Sequence, residues 1–472
     1  MIMKKYRHYF LLAVLTFFNE TAAAQQRPNI IFIMADDLGY GDIEPFGQTL
    51  IKTPSLSRMA KEGIILTNHY AGTSVCAPSR CSLMTGLHTG HAEVRGNLQY
   101  KIRNGQLPIS DGAVTVAELL KTAGYTTGII GKWGLGDTGT TGDPNKQGFD
   151  FFYGYTDQIL AHNHFPEFLL RNGKKEFLRN TVEYLDSTAG HKGLGSVTTE
   201  RKDFADELFK QEALNFITEN RQRRFFLYLP FIIPHCNDEA PKDFQYEVPS
   251  QREYASQPWS KDEKDYAASI SYLDEYVGEV LSHLKRLRLD SNTLVIFTSD
   301  NGPRVDQMRF KSSGELRGFK RDLYEGGIRV PFIAWWPGRI QAGRISDHVS
   351  TFWDFLPTAC TLSGVKETYK SDGISYLPTL LGNGRQLQHD YVYFEFHERD
   401  GAQAVRQGKW KAVVRGIKTQ NPLPLELFNL ENDPSEATNV ADENPKVAAE
   451  MMTILKKAHS PSKTFALPSD SK

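Results

Sequence analysis

Cysteine is scarce in this chain of 472 residues: Cys76, Cys81, Cys236 and Cys360 are too few for a disulfide scaffold and lack the paired spacing of a zinc site. An excess of either charge is also missing. Lys and Arg number 55 against 56 Asp and Glu, for a formal charge of -1, so the overall basic balance of a nucleic-acid binder is absent. There are no internal repeats and no low-complexity tracts. No apolar run approaches the roughly 20 residues that cross a bilayer, so no stable membrane insertion is expected. What is there is globular composition, 40% hydrophobic and 24% charged, which argues against disorder. At about 150 residues per domain, the length suits either three domains or one large α/β unit with a lesser module.

The N-terminus has the layout of an export signal. Lys4, Lys5 and Arg7 precede a short apolar stretch, 9–18, and Thr21-Ala22-Ala23-Ala24 offers small residues for cleavage before Gln25. The mature protein is expected in the periplasm or outside the cell.

From Asn29 onward strands and helices alternate. Residues 29–34 form an unbroken apolar run, the mark of a strand buried on both faces. Helical spacing follows at 54–62, 113–123, 203–219 and 262–287, with β runs at 126–130, 225–229 and 293–298. This alternation predicts an α/β fold, a large, mostly parallel sheet sandwiched by helices, with ligands beyond the carboxyl ends of its strands. The pattern changes near Gly382. Short β runs at 391–396, 403–406, 410–415 and 425–430, then a helix at 445–457, predict a smaller C-terminal antiparallel sheet with one helix. The expected division is a leader at 1–24, a main unit at 25–382 and a small α+β unit at 383–472.

Two acidic pairs fall at predicted strand ends. Asp36 and Asp37 follow the first strand, and Asp300 and Asn301 follow the 293–298 strand. A parallel sheet brings both to one edge, where three carboxylates and an amide favour a hard cation, Ca²⁺ or Mg²⁺. Either pair alone would read as a helix cap or an Asx turn. Cys76-Ala77-Pro78-Ser79-Arg80 places a cysteine at a helix start, with Pro78 in the first turn and Arg80 one turn on. Read from its residues, this is a candidate nucleophilic thiol or a buried structural cysteine.

Cys76-Ala77-Pro78-Ser79-Arg80, continued by Leu83-Met84-Thr85-Gly86, resembles the signature of the type I sulfatases. The resemblance continues in order through 29–39, 131–136, Thr298-Ser299-Asp300-Asn301-Gly302, Lys320 with 324–329, and 427–434. It spans about Arg27 to Asn439, nearly the whole mature chain. It implies an alkaline-phosphatase-like sheet and hydrolysis of a sulfate ester. It also implies conversion of Cys76 to Cα-formylglycine by a formylglycine-generating maturation enzyme. Asp36, Asp37, Asp300 and Asn301, completed by residue 76, would hold one Ca²⁺. Arg80, Lys132, His235 and Lys320 take the family's catalytic positions: the lysines bind sulfate and His235 protonates the leaving alcohol. The chain departs from the pattern at Gly134, where many members carry histidine. The base for sulfate release is therefore unassigned, and a water or another histidine could serve.

Residues that mix hydrogen-bonding and aromatic groups suit a sugar. Arg95, Asn97, His162 and His397 are the candidates for substrate contact, and the resemblance points to a sulfated carbohydrate such as galactose or N-acetylgalactosamine sulfate. Two alternatives are a phosphonate or phosphodiester hydrolase of the same superfamily and a non-catalytic glycan-binding relative with an unmodified Cys76.

Overall fold

The computed structural model describes residues 27–99, 105–185, 195–305 and 309–471. The expected leader, 1–24, lies outside them. Five parallel strands form the middle of a ten-stranded sheet, in the spatial order Thr293–Ser299, Asn29–Ala35, Phe225–Pro230, Thr126–Lys132, Phe151–Tyr155. The pleat of Asn29–Ala35 divides its apolar residues. Ile31, Ile33 and Ala35 enter one core, while Ile30, Phe32 and Met34 enter the other. Both faces are buried, which is why the sequence there is an unbroken apolar run.

Helices Pro54–Glu62, Ala205–Glu219 and Lys261–Leu287 close the first core through Leu56, Phe209 and Leu273. Val116–Thr122 and Phe355–Ser363 close the second through Leu120 and Leu356. The edges are mixed: Phe332–Trp335 runs antiparallel to Thr293–Ser299, and a hairpin of Phe168–Arg171 and Lys174–Phe177 continues from Phe151–Tyr155. The expected large, mostly parallel sheet between helices is thus present.

The C-terminal sheet is a four-stranded antiparallel meander of Val392–Phe396, Ala402–Gln407, Trp410–Arg415 and Glu426–Asn429. Tyr393, Val405, Ala412 and Leu427 pack on Met451 and Leu455 of helix Pro445–Ala458. The opposite face packs Phe394, Ala404, Val413 and Phe428 against Tyr70, Val75 and Trp353. Each large apolar side chain so buried contributes about 1.5–3 kcal/mol.

Several boundaries differ from the sequence reading. The helix expected at 113–123 begins only at Val116, because Thr115 caps it and Glu118 returns the bond to the Thr115 N–H. The helix expected from 203 begins at Ala205, since the Asp203 carboxylate binds Arg179 and the Arg179 N–H. Phe151–Tyr155 and the following hairpin lie where no strand was expected. Among the described residues, no helix is long and apolar enough to cross a membrane.

Candidate active site

Asn29–Ala35 and Thr293–Ser299 run in register, with Ala35 opposite Ser299, so the residues after each strand emerge side by side. The Asp37 N–H donates to Asp300 Oδ1 at 3.1 Å, and the Asn301 Nδ2–H donates to Asp37 Oδ1 at 2.7 Å. Asp37 takes a left-handed turn, φ 63°, to reach this position. Asn301 Oδ1 is buried without a hydrogen-bond partner. An orphaned carbonyl oxygen beside three carboxylates is a donor set that fits a hard, oxygen-seeking cation.

The charge cluster expected at this edge is met by three cations of the chain itself. Arg80 Nη2 lies 2.8 Å from Asp300 Oδ2 and 3.2 Å from Asp36 Oδ2. Lys132 Nζ lies 2.5 Å from Asp36, and Lys320 Nζ lies 2.8 Å from Asp37. All of these side chains are buried. Burial pushes the Asp36 carboxyl up, but Lys132, Arg80 and Lys320 outweigh it and hold the group below its ordinary value. Asp300 goes the other way, raised by burial and then by the Asp36 charge. With three carboxylates against three cations, a bound divalent ion would leave the pocket positive and suited to an anion.

Cys76 opens the helix Cys76–Thr85, and its Sγ lies 3.6 Å from Asp36 Oδ1. Burial, then the Asp36 charge, pushes the thiol up to about 12. Burial and the Asp36 charge thus favour the protonated thiol over the thiolate that a nucleophilic cysteine needs. Two contacts anchor the helix. The Ala77 N–H donates to Asn97 Oδ1 at 3.0 Å, and Ser79 Oγ donates to the Asp300 carbonyl at 2.6 Å.

His235 follows Phe225–Pro230. Its Nδ1 donates to the Cys236 carbonyl at 2.6 Å, so Nε2 accepts from Lys320 Nζ at 3.1 Å. Burial and then the Lys320 charge depress its pKa well below the ordinary value, keeping the ring neutral. The His162 ring stacks on His235 with centroids 4.9 Å apart, and His162 Nδ1 lies 2.9 Å from Glu239. A second histidine therefore does fold against the first. His164, which the sequence reading passed over as a site residue, bonds the His235 carbonyl at 2.8 Å through Nε2.

The other substrate candidates are engaged within the protein. Arg95 and His397 converge on the buried Glu395, at 3.3 and 2.6 Å, and Tyr393 and His459 share the same carboxylate. Asn97 spends its side-chain oxygen on Ala77. At Gly134 φ is +81°, and an added Cβ would lie 1.9 Å from Gln158 Nε2. The side chain missing at Gly134 is thus displaced by a buried glutamine, whose amide atoms have no hydrogen-bond partner.

The Sulfatase family profile matches residues 28–365, well over half of the chain. The chain belongs to the sulfatase family. As a sulfatase it hydrolyses sulfate esters. A second profile, N-sulphoglucosamine sulphohydrolase, C-terminal, matches residues 314–461. The N-acetylgalactosamine-6-sulfatase of Canis lupus familiaris is 33% identical over 406 residues, which cover 83% of this chain and 72% of that protein. The N-acetylgalactosamine-6-O-sulfatase of Bacteroides thetaiotaomicron is 31% identical over 497 residues, 91% of this sulfatase and 93% of its relative. The crystal structure of Ps i-CgsB in complex with k-i-k-neocarrahexaose superposes with a TM-score of 0.74 at 28% identity, covering 92% of each chain.

Proposed function

We propose that this sulfatase removes sulfate from a sulfated carbohydrate, with Cα-formylglycine at position 76 and one Ca²⁺ beside it. The relatives named for N-acetylgalactosamine 6-sulfate support that sugar as the first substrate to try. The observation that carries the reading is the placement of Cys76 Sγ 3.6 Å from Asp36 Oδ1, at the carboxylate cluster to which Asn301, with its orphaned Oδ1, also belongs. Asp36, Asp37, Asp300 and Asn301 would hold the ion, which supplies Lewis-acid charge when bound. Formylglycine, as a hydrated aldehyde, supplies one hydroxyl for attack at sulfur and a second for sulfate release.

The chain's own residues do the rest. Arg80 fixes the orientation of Asp36 and Asp300. Lys132 and Lys320 bring positive charge to the oxygens of the transferring group. His235 Nε2, 3.1 Å from Lys320 Nζ and protonated from solvent in the substrate complex, is placed to give that proton to the leaving oxygen, while Lys320 keeps its charge for the sulfate. His162, stacked on His235 and braced by Glu239, is placed to accept a proton at release, in the role that Gly134 cannot fill.

We further read 1–24 as an export signal, 25–382 as the catalytic unit and 383–472 as the accessory unit. Export to the periplasm or beyond, and a formylglycine-generating partner, belong to the same reading. Mass spectrometry of the peptide bearing residue 76, with sulfate release from N-acetylgalactosamine 6-sulfate, tests the proposal. A thiol at 76 in active protein, or a strong preference for phosphodiesters, would overturn it.

A further inference from the structure

The carboxyl edge of the sheet carries the active site; the amino edge carries a basin of about 1170 Å³. It is rimmed by Arg27, Arg221, Arg223, Arg224 and Arg288, and no Asp or Glu lines it. Arg27 precedes the strand Asn29–Ala35, and Arg221, Arg223 and Arg224 lie in the loop before Phe225–Pro230. Arg288 caps the long helix Lys261–Leu287 in a left-handed turn. Among the described residues, none of the five pairs with a carboxylate, whereas most arginines elsewhere on the surface do, such as Arg171, Arg179 and Arg309. Five unneutralised guanidinium groups around one hollow are out of keeping with a net charge of -1. The floor adds hydrogen-bonding side chains, including Asn29, Thr126 and Asn292.

A hollow this large and this polar differs from the mostly apolar pocket of a small ligand. Guanidinium groups match the oxygens of sulfate in bidentate geometry, and several weak surface contacts add up only for a ligand bearing several anionic groups. We infer that the basin is a second binding site, which holds the sulfate groups of a polysaccharide chain away from the reaction centre. The inference rests on the reading of the substrate as a sulfated carbohydrate. The strand Asn29–Ala35 joins the two edges, which places them about 20 Å apart at roughly 3.3 Å per residue. Held there, one segment of a polymer raises the effective concentration of its other segments at the active site.

Affinity electrophoresis of the full chain through gels containing chondroitin sulfate tests this, with Arg223→Glu/Arg224→Glu as the variant. These arginines are exposed, and thermal unfolding checks that the variant folds as the wild type does. The expected result is at least ten-fold weaker retention of the variant, with turnover of 4-nitrocatechol sulfate unchanged. Undiminished retention would overturn the site, as would loss of retention in Lys320→Ala instead. Equal retention by double-stranded DNA would assign the basin to polyanions at large. Tight binding of inorganic sulfate alone, without polymer retention, would make it a site for the free ion. Either of those two results defeats the inference. Retention needs no turnover, so the failure of this site and a failure of the proposed activity are read separately.

Discussion

Lys320 Nζ stands 3.1 Å from His235 Nε2 and 2.8 Å from the Asp37 carboxylate, so one ammonium joins the proposed metal ligands to the proposed proton donor. His235→Ala is expected to lower kcat/KM on a sugar sulfate by about 10²–10⁴, the usual contribution of a positioned acid. On 4-nitrophenyl sulfate the loss should be much smaller, because that phenolate leaves unaided. Equal losses on both substrates would show that His235 does not protonate the leaving oxygen.

The cation can be tested without turnover. Adding Ca²⁺ to chelator-treated protein should raise Tm, since a ligand at a hundred times its Kd stabilises by about 2.7 kcal/mol. Asn301→Ala removes the orphaned oxygen and should need at least ten times more Ca²⁺ for the same rise. A wild-type Tm indifferent to Ca²⁺ would dismiss the ion.

Gly134→Ala brings a Cβ against Gln158 Nε2 at a backbone angle that favours glycine. It should destabilise the protein by about 1–3 kcal/mol, as overpacking does. Gln158→Ala in the same chain should recover much of that loss. Chemical denaturation of the two single variants and the double variant measures the coupling, and strict additivity would contradict the steric account.

Asn97 accepts the Ala77 N–H in the first turn of the Cys76 helix. Asn97→Ala should cost about 1 kcal/mol, the usual value of a lost helix cap. If Asn97 contacted only substrate, KM would rise and thermal stability would stay the same.

Glu436 shares the buried Lys411 with Glu325, with Lys411 Nζ 2.8 Å from Glu436 and 3.0 Å from Glu325. Burial, and the Glu325 charge beyond what Lys411 offsets, raises the Glu436 carboxyl above the ordinary 4.5. The folded state then holds a proton that the unfolded chain releases near pH 4.5, so stability falls as pH climbs from 4.5 towards neutrality. Asp137 and Asp274, each pushed up to about 6 by burial, act in the same sense. His69 and His88, depressed by burial to about 3 and 4, oppose it. The informative quantity is therefore a difference: Glu436→Gln should gain stability relative to wild type between pH 4.5 and 7.5. Parallel profiles would refute the assignment.

What could be seen in the sequence follows from how local each signal was. Asp36 and Asp37 stand out because they end a fully buried apolar strand, and Cys76-Ala77-Pro78-Ser79-Arg80 because one turn of helix holds its parts together. Phe168–Arg171 and Lys174–Phe177 form an edge hairpin, largely part-buried or exposed, and so lack an apolar alternation to read. Glu395, Gln158 and His164 do not stand out as site residues in the sequence for another reason. Each matters through a partner brought close only by folding: Arg95 for Glu395, Gly134 for Gln158 and the His235 carbonyl for His164. The reading of Arg95 and His397 recognised polar side chains but not the carboxylate that occupies both.

The strand Asn29–Ala35 supplies alternate side chains to two separate cores and delivers Asp36 opposite Asp300. One inserted residue would exchange the contents of the two cores and turn Asp36 away from Arg80 and Lys132. The loops around the pocket can lengthen or shorten and change which sulfate ester is accepted. This seven-residue spacer cannot. Its length is a rigid constraint on how the protein can diversify, set by geometry before any chemistry begins.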